Sequence, residues 1–254
     1  MNARSGVVAI GALDAAEWAG LETAATEIAR WPAGSHVWGH YAEQTATGPA
    51  ICRTENVSAC RPDVGALVDG PLRATASARL HTDATAFKDK INYKQPGGAG
   101  FLPHQDRTAY PGAPELVSLL VAIDACTEQS GCLWIAPDVD HALPTDDRGV
   151  VVRHVTDAID WDMVELAPGD ALLIDGYAPH WSGANRTGTA RRVLVASYAP
   201  TSSGYARTEY YEARAAAMAA STERNGRFRI STHADFAGEE VALDHRATEV
   251  CSHD

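Results

Sequence analysis

Between Phe87 and Pro200 the chain is a succession of short apolar runs cut by Gly- and Pro-rich turns, and this punctuation limits the possible folds most sharply. FKDKINYK alternates and stops at the turn PGGAG. Leu116 to Ile123 is apolar, and CLWIAP, VVVRHV and MVELA follow. The turn Pro168-Gly169-Asp170 then leads into ALLID, and RRVLVASYAP closes the series. Runs of this length are strands, and their spacing predicts an antiparallel sandwich or barrel.

Helices flank this β-rich stretch. Asp14 is placed as the N-cap of a helix carrying Trp18, Leu21 and Ile28 at helical spacing. Residues 32–60, rich in Gly, Thr and Pro, are expected to form a long loop. A second helix is expected from Val64 to Leu80 and a third from Glu209 to Thr222, followed by a polar tail from Gly226 to Asp254. No internal repeat or linker divides the chain, so residues 1–254 are read as one domain.

The sequence has 254 residues, 45% of them hydrophobic, which is enough to bury a sizeable core, and its formal net charge is -12. That charge repels phosphate backbones, so nucleic acid is an unsuitable partner and a neutral or cationic small molecule a better one. Five cysteines without a C-x-x-C pair are expected to be reduced thiols. No apolar stretch is long enough to span a membrane, and the N-terminus lacks a signal-like apolar segment. A cytoplasmic location is expected; oligomeric state is not encoded in any recognisable pattern.

The chemistry is carried by PGGAGFLPHQDRTAY. His104 and Asp106 stand two apart, and on a strand they would share a face. His180, after the apolar run ALLID, is the candidate third ligand. Two imidazoles and one carboxylate leave open positions on an octahedral Fe(II), which suits a bidentate cosubstrate and O2 together. H-x-D occurs twice more, at His81-Asp83 and His233-Asp235, but without a strand before it or a distal His after an apolar run. A keto acid such as 2-oxoglutarate also needs a buried cation for its far carboxylate, best an Arg fork. Arg186, Arg191 and Arg192 all lie after His180, and Arg191 and Arg192 point to opposite faces of a strand, so alternation does not choose between those two.

KINYKQPGGAGFLPHQD, GCLWIAPDVDHA, PGDALLIDGYAPHWSG and NRTGTARRVLVASY together resemble the phytanoyl-CoA dioxygenase superfamily of iron/2-oxoglutarate oxygenases over Ile51 to about Tyr198. The third segment carries His180, and Asp140 departs from the Ser that the family has before His141. The resemblance implies a mainly β fold with a double-stranded β-helix (jelly-roll, cupin-like) core and flanking α-helices. It implies His104, Asp106 and His180 as iron ligands and catalytic centre, with 2-oxoglutarate and O2 as cosubstrates. Arg191, eleven residues after His180, matches the family's carboxylate-binding Arg; Ser182 and Asn92 match assisting positions, with Gln105 and Lys90 as further carry-overs. The implied chemistry converts 2-oxoglutarate to succinate and CO2 while a substrate C–H bond is oxidised; a carboxylate at Asp106 disfavours halogenation.

Tyr93, Arg107, Tyr110, Trp134 and Trp181 flank the expected site and are candidate substrate contacts; Lys94 is read as a solvated lysine. The expected function is oxidation, by hydroxylation or ring closure, of a small polar molecule, with tailoring of a sugar or aminocyclitol antibiotic as the first reading. Catabolic hydroxylation of an aminoalkylphosphonate is the alternative, and a jelly-roll binding protein without turnover is the alternative of another class.

Overall fold

The computed structural model describes residues 7–10, 13–31, 39–45, 48–110, 112–220 and 239–240. The strands are β1 (Val7–Ile10), β2 (Gly39–Thr45), β3 (Gly48–Glu55), β4 (Ala84–Lys94), β5 (Phe101–His104), β6 (Val117–Ala122), β7 (Leu133–Ile135), β8 (Asp162–Val164), β9 (Ala171–Asp175), β10 (His180–Ser182), β11 (Arg191–Pro200) and β12 (Glu239–Glu240). The helices are α1 (Ala15–Ile28), α2 (Pro62–Leu67), α3 (Arg73–Leu80), α4 (Asp106–Ala109), α5 (Arg153–Thr156) and α6 (Arg207–Ala220). An eight-stranded sheet in the order β1-β9-β6-β11-β4-β3-β2-β12 faces a four-stranded sheet in the order β5-β10-β7-β8, and every pairing is antiparallel. This is the jelly-roll expected from the sequence.

Strand alternation divides the large sheet into two chemically different faces. Ile91, Tyr93, Leu119, Val121, Leu173 and Leu194 turn outward and form the main core with Leu21, Ile28, Val64 and Val68 of the helical layer. Burying each such aliphatic side chain contributes about 1.5–3 kcal/mol. Leu120, Ala122, Leu172, Ile174 and Val193 turn inward and pack against Cys132, Ile135 and Leu166 of the smaller sheet. The inner face of β4 is polar: Lys88, Lys90, Asn92 and Lys94 alternate along it.

Asp14 caps α1 as expected: its carboxylate accepts from Ala16 N at 2.9 Å and Glu17 N at 2.8 Å, and Glu17 reciprocates at Asp14 N. Trp18 Nε1 donates to Ile123 O at 3.0 Å, pinning the helix to the residue that follows β6.

Several expectations need correction. Residues 39–55 are not loop but the hairpin β2–β3, which extends the large sheet. The helix expected over 64–80 is interrupted at Gly70-Pro71, where Pro71 lacks an amide donor and Gly70 adopts non-helical angles, so a wide turn separates α2 from α3. VVVRHV is not a strand: it gives isolated bridges at Val150 and Val151, then α5. Cys52, Cys126 and Cys132 are free thiols, whereas Cys60 is disulfide-bonded. His233-Asp235 and most of the tail lie outside the described residues. Among the described residues no helix is long and apolar enough to cross a membrane.

Candidate metal centre and cosubstrate cavity

The two histidines meet because β5 and β10 are paired, with His104 opposite His180. Gly100 makes this approach possible, since a Cβ there would sit 2.0 Å from Ser182 O. β10 follows the tight turn at residues 167–170, where Gly169 takes φ +89° and Asp170 Oδ2 accepts from Ala167 N at 2.8 Å, and then β9.

Asp106 reaches the same point by a different route from the one expected. His104 ends β5, but Asp106 opens the short helix α4, so strand alternation does not bring the two together. The helical turn swings the carboxylate back, and Oδ1 lies 3.9 Å from His104 Nε2 and 4.0 Å from His180 Nε2. The three ligand atoms lie within 4.8 Å of one another, the only such His/Cys/Asp/Glu group among the described residues.

The surroundings leave these three groups prepared for a cation. His104 Nδ1 donates to Leu102 O at 2.7 Å and His180 Nδ1 to Ala178 O at 3.1 Å, which leaves each Nε2 lone pair directed at the common point. Ser118 Oγ donates to Asp106 Oδ2 at 2.6 Å and leaves Oδ1 free for a metal. Burial pushes the Asp106 carboxyl up, but His180, His104, Lys90 and the Ser118 hydrogen bond outweigh it and hold the group below the usual carboxylate range. Two imidazoles and one carboxylate with open positions fit a non-haem ferrous ion.

A cavity opens beside the triad, lined by Arg53, Asn92, Lys94, Phe101, Ser182 and Arg191 among others, and no carboxylate lines it. Arg191 is buried, and its guanidinium donates to Gly131 O at 2.7 Å. Lys94 is also buried, donating to Ser182 Oγ at 2.8 Å, Gly183 O at 2.5 Å and Gly131 O at 3.2 Å, so the solvated reading of this lysine is wrong. Asn92 Oδ1 accepts from Arg53 Nε at 3.0 Å. Three cations around a space without an acid suit a dianion of the size of 2-oxoglutarate, although the chain as a whole is acidic.

The remaining sequence candidates divide. Gln105 is fully buried and does not line the cavity; its amide donates to His141 O and Tyr177 O and accepts from Leu143 N at 2.9 Å, so it clamps a loop. Lys90 does not line the cavity either; it lies on the inner face of β4, and its charge helps to hold the Asp106 carboxyl down. Trp134 and Trp181 are corrections: on β7 and β10 they alternate with Ile135 and His180 and therefore face away from the triad, stacked on each other at 5.4 Å, with Trp161 edge-on to Trp181. Tyr93 borders the cavity, but it belongs to the main core and its hydroxyl donates to Ala25 O at 3.3 Å. Arg107 Nη1 donates to Tyr110 O, and the Tyr110 hydroxyl accepts from Lys88 Nζ at 3.0 Å. Arg53 was missed by the sequence reading, because residues 32–60 carried no strand pattern that would give it a face.

A jelly-roll holding two histidines and a carboxylate beside a cationic cavity defines a non-haem iron oxygenase that uses a keto acid. The family "Phytanoyl-CoA dioxygenase (PhyH)" matches residues 3–193, and the chain belongs to it. Among curated relatives, the chain is 38% identical over 202 residues to a methylphosphonate hydroxylase of Gimesia maris, covering 78% of each chain. It is 33% identical over 193 residues to a 2-aminoethylphosphonate dioxygenase of an uncultured bacterium, covering 73% of this chain and 74% of the relative. Among solved structures it resembles the epimerase SnoN in complex with Fe3+, alpha ketoglutarate and nogalamycin RO, at TM-score 0.64 and 21% identity, covering 78% of this chain and 80% of that one. The protein is an iron- and 2-oxoglutarate-dependent dioxygenase that acts with O2 on a small molecule.

Proposed function

We propose that this protein hydroxylates a small alkylphosphonate, with methylphosphonate as the leading candidate. The 38% identity to a methylphosphonate hydroxylase across more than three quarters of both chains carries the reading. It replaces antibiotic tailoring as the first reading; the likeness to the nogalamycin enzyme lies at an identity that speaks for the fold alone.

His104, Asp106 and His180 hold the iron. Arg191 receives the far carboxylate of 2-oxoglutarate, with Lys94 and the Ser182 hydroxyl completing the seat and Asn92 and Arg53 lining the way to the metal. When bound, iron, 2-oxoglutarate and O2 supply the power to oxidise a C–H bond. The chain orients both organic molecules, keeps each histidine in the tautomer that offers Nε2, and lines the cosubstrate's path with Leu120, Leu133 and Val193 to limit water.

The experiment is aerobic incubation of the purified chain with Fe(II), 2-oxoglutarate and methylphosphonate. Succinate and hydroxymethylphosphonate, read by chromatography and 31P NMR, are expected in near-equal amounts. Succinate release that no phosphonate stimulates would overturn the reading. A second reading, oxidation of 2-aminoethylphosphonate, is favoured by the 33% identity to that dioxygenase and is tested in the same assay.

A further inference from the structure

The inner face of β4 continues past the cosubstrate cavity, and the two lysines there have no part in the roles assigned so far. Lys94 and Asn92 line the cavity; Lys90 and Lys88 follow on the same face toward the strand's beginning. Lys90 lies opposite Glu55 on β3 and Val195 on β11; Lys88 lies opposite Ser197, which pairs in turn with Ser118. Ser118 is the residue that holds Asp106. The lysines therefore stand beside the carboxylate edge of the metal centre.

The charges here do not balance. Glu55 is almost completely buried and is shared by Arg53 at 3.3 Å, Lys88 at 3.6 Å and Arg214 at 2.9 Å. Lys90 makes no hydrogen bond or ion pair among the described residues, although Arg53 and Lys88 repel it. Three cations thus share one carboxylate, Lys90 stands opposite it in register without pairing to it, and Asp106 is committed to the metal. Asp89, between the two lysines in sequence, faces the other way and is held by Arg207 and Ser58. Lys90, only half-buried, is left without an anion of its own, and an incoming anion would complete it.

We propose that Lys90, with Lys88 and the Tyr110 hydroxyl, is the seat of the substrate's phosphonate dianion, separate from the Arg191–Lys94 seat of 2-oxoglutarate. This deepens the proposed function and rests on it. A phosphonate held here places the carbon bonded to phosphorus next to the triad. The same excess of positive charge disfavours a substrate that carries an ammonium group close to the phosphonate, since no carboxylate is left to receive it. Methylphosphonate is therefore selected over 2-aminoethylphosphonate.

Calorimetric titration of the full chain, loaded anaerobically with Fe(II) and 2-oxoglutarate, tests the seat with a reading independent of turnover. Lys90→Met and Lys90→Gln should each raise the Kd of methylphosphonate at least tenfold more than that of 2-oxoglutarate, and Lys90→Arg should recover most of the loss. Wild type should bind 2-aminoethylphosphonate at least tenfold more weakly than methylphosphonate. If wild type hydroxylates methylphosphonate while both neutral variants bind it unchanged, the seat is wrong and the function stands. If the variants lose 2-oxoglutarate as strongly as methylphosphonate, Lys90 belongs to the cosubstrate and the seat is again wrong. If wild type neither binds nor hydroxylates any phosphonate, the function and the seat fall together.

Discussion

Arg191 and Arg192 are adjacent in sequence and serve opposite sides of one sheet. Arg191 enters the cavity and donates to Gly131 O at 2.7 Å, whereas Arg192 turns to the helical layer, donating to Asp124 Oδ1 and Oδ2 at 2.8 Å and to Glu22 Oε1 at 3.0 Å. The period of a strand forces this division.

Arg191→Ala should raise the 2-oxoglutarate concentration needed for half-maximal succinate formation by roughly 10–100-fold, the worth of a charge-assisted pair of hydrogen bonds. Arg192→Ala should change it less than threefold while lowering the melting temperature. Steady-state kinetics beside a thermal melt separates the two, and the reverse pattern would show that the wrong guanidinium had been assigned.

His104→Ala, Asp106→Ala and His180→Ala should each abolish iron-dependent succinate formation. Ser118→Ala should be milder, because it frees the carboxylate to rotate without removing a ligand; a roughly 10-fold loss of iron affinity is expected. Iron titration followed by calorimetry checks the series, and wild-type affinity in any of the three alanine ligand variants excludes that residue from the centre.

Trp181→Ala should leave the KM of both organic substrates within twofold and cost about 1 kcal/mol or more of stability through loss of stacking on Trp134. A large rise in the KM for the phosphonate, with an unchanged melt, would mean that the outer face of the small sheet takes part in binding.

Glu55 gives the fold an acid-sensitive interior. Burial alone would push its carboxyl up, but Lys88, Arg214 and Arg53 outweigh it and bring the value down to about 2, against 4.5 for an unstructured glutamate. The stabilisation is complete above pH 4.5 and is lost as pH falls through 2. Glu55→Gln should cost about 3–5 kcal/mol at neutral pH, because three cations lose their shared partner, and should flatten the fall in stability between pH 4.5 and 2. Urea midpoints measured across that range test this; parallel curves for wild type and variant would refute it.

The periodic parts of this protein were legible in its sequence. ALLID and RRVLVASYAP formed the strands their patterns required, and Asp14 capped α1, because burial on one face and a local cap leave a mark within a few residues. The H-x-D motif and the distal His180 could be picked out from the strand runs beside them and the family resemblance, although Asp106 stands on a helical turn and not on the strand that its spacing suggested. The hairpin β2–β3 left no such mark, being polar and rich in Gly and Thr, so the sheet's extension and Arg53 went unseen.

The sequence by itself determined the inventory: a β-rich core, two histidines and a carboxylate at recognisable spacing, and an Arg pair on one strand. Only the tertiary structure decided facing. It turned Trp134 and Trp181 outward and buried Lys94 against Ser182. It brought Asp106 to the histidines through a helical turn and gathered Arg53, Lys88 and Arg214 around Glu55. Those outcomes depend on register between strands distant in the chain, where a shift of one residue exchanges interior for exterior, and no local pattern records that choice.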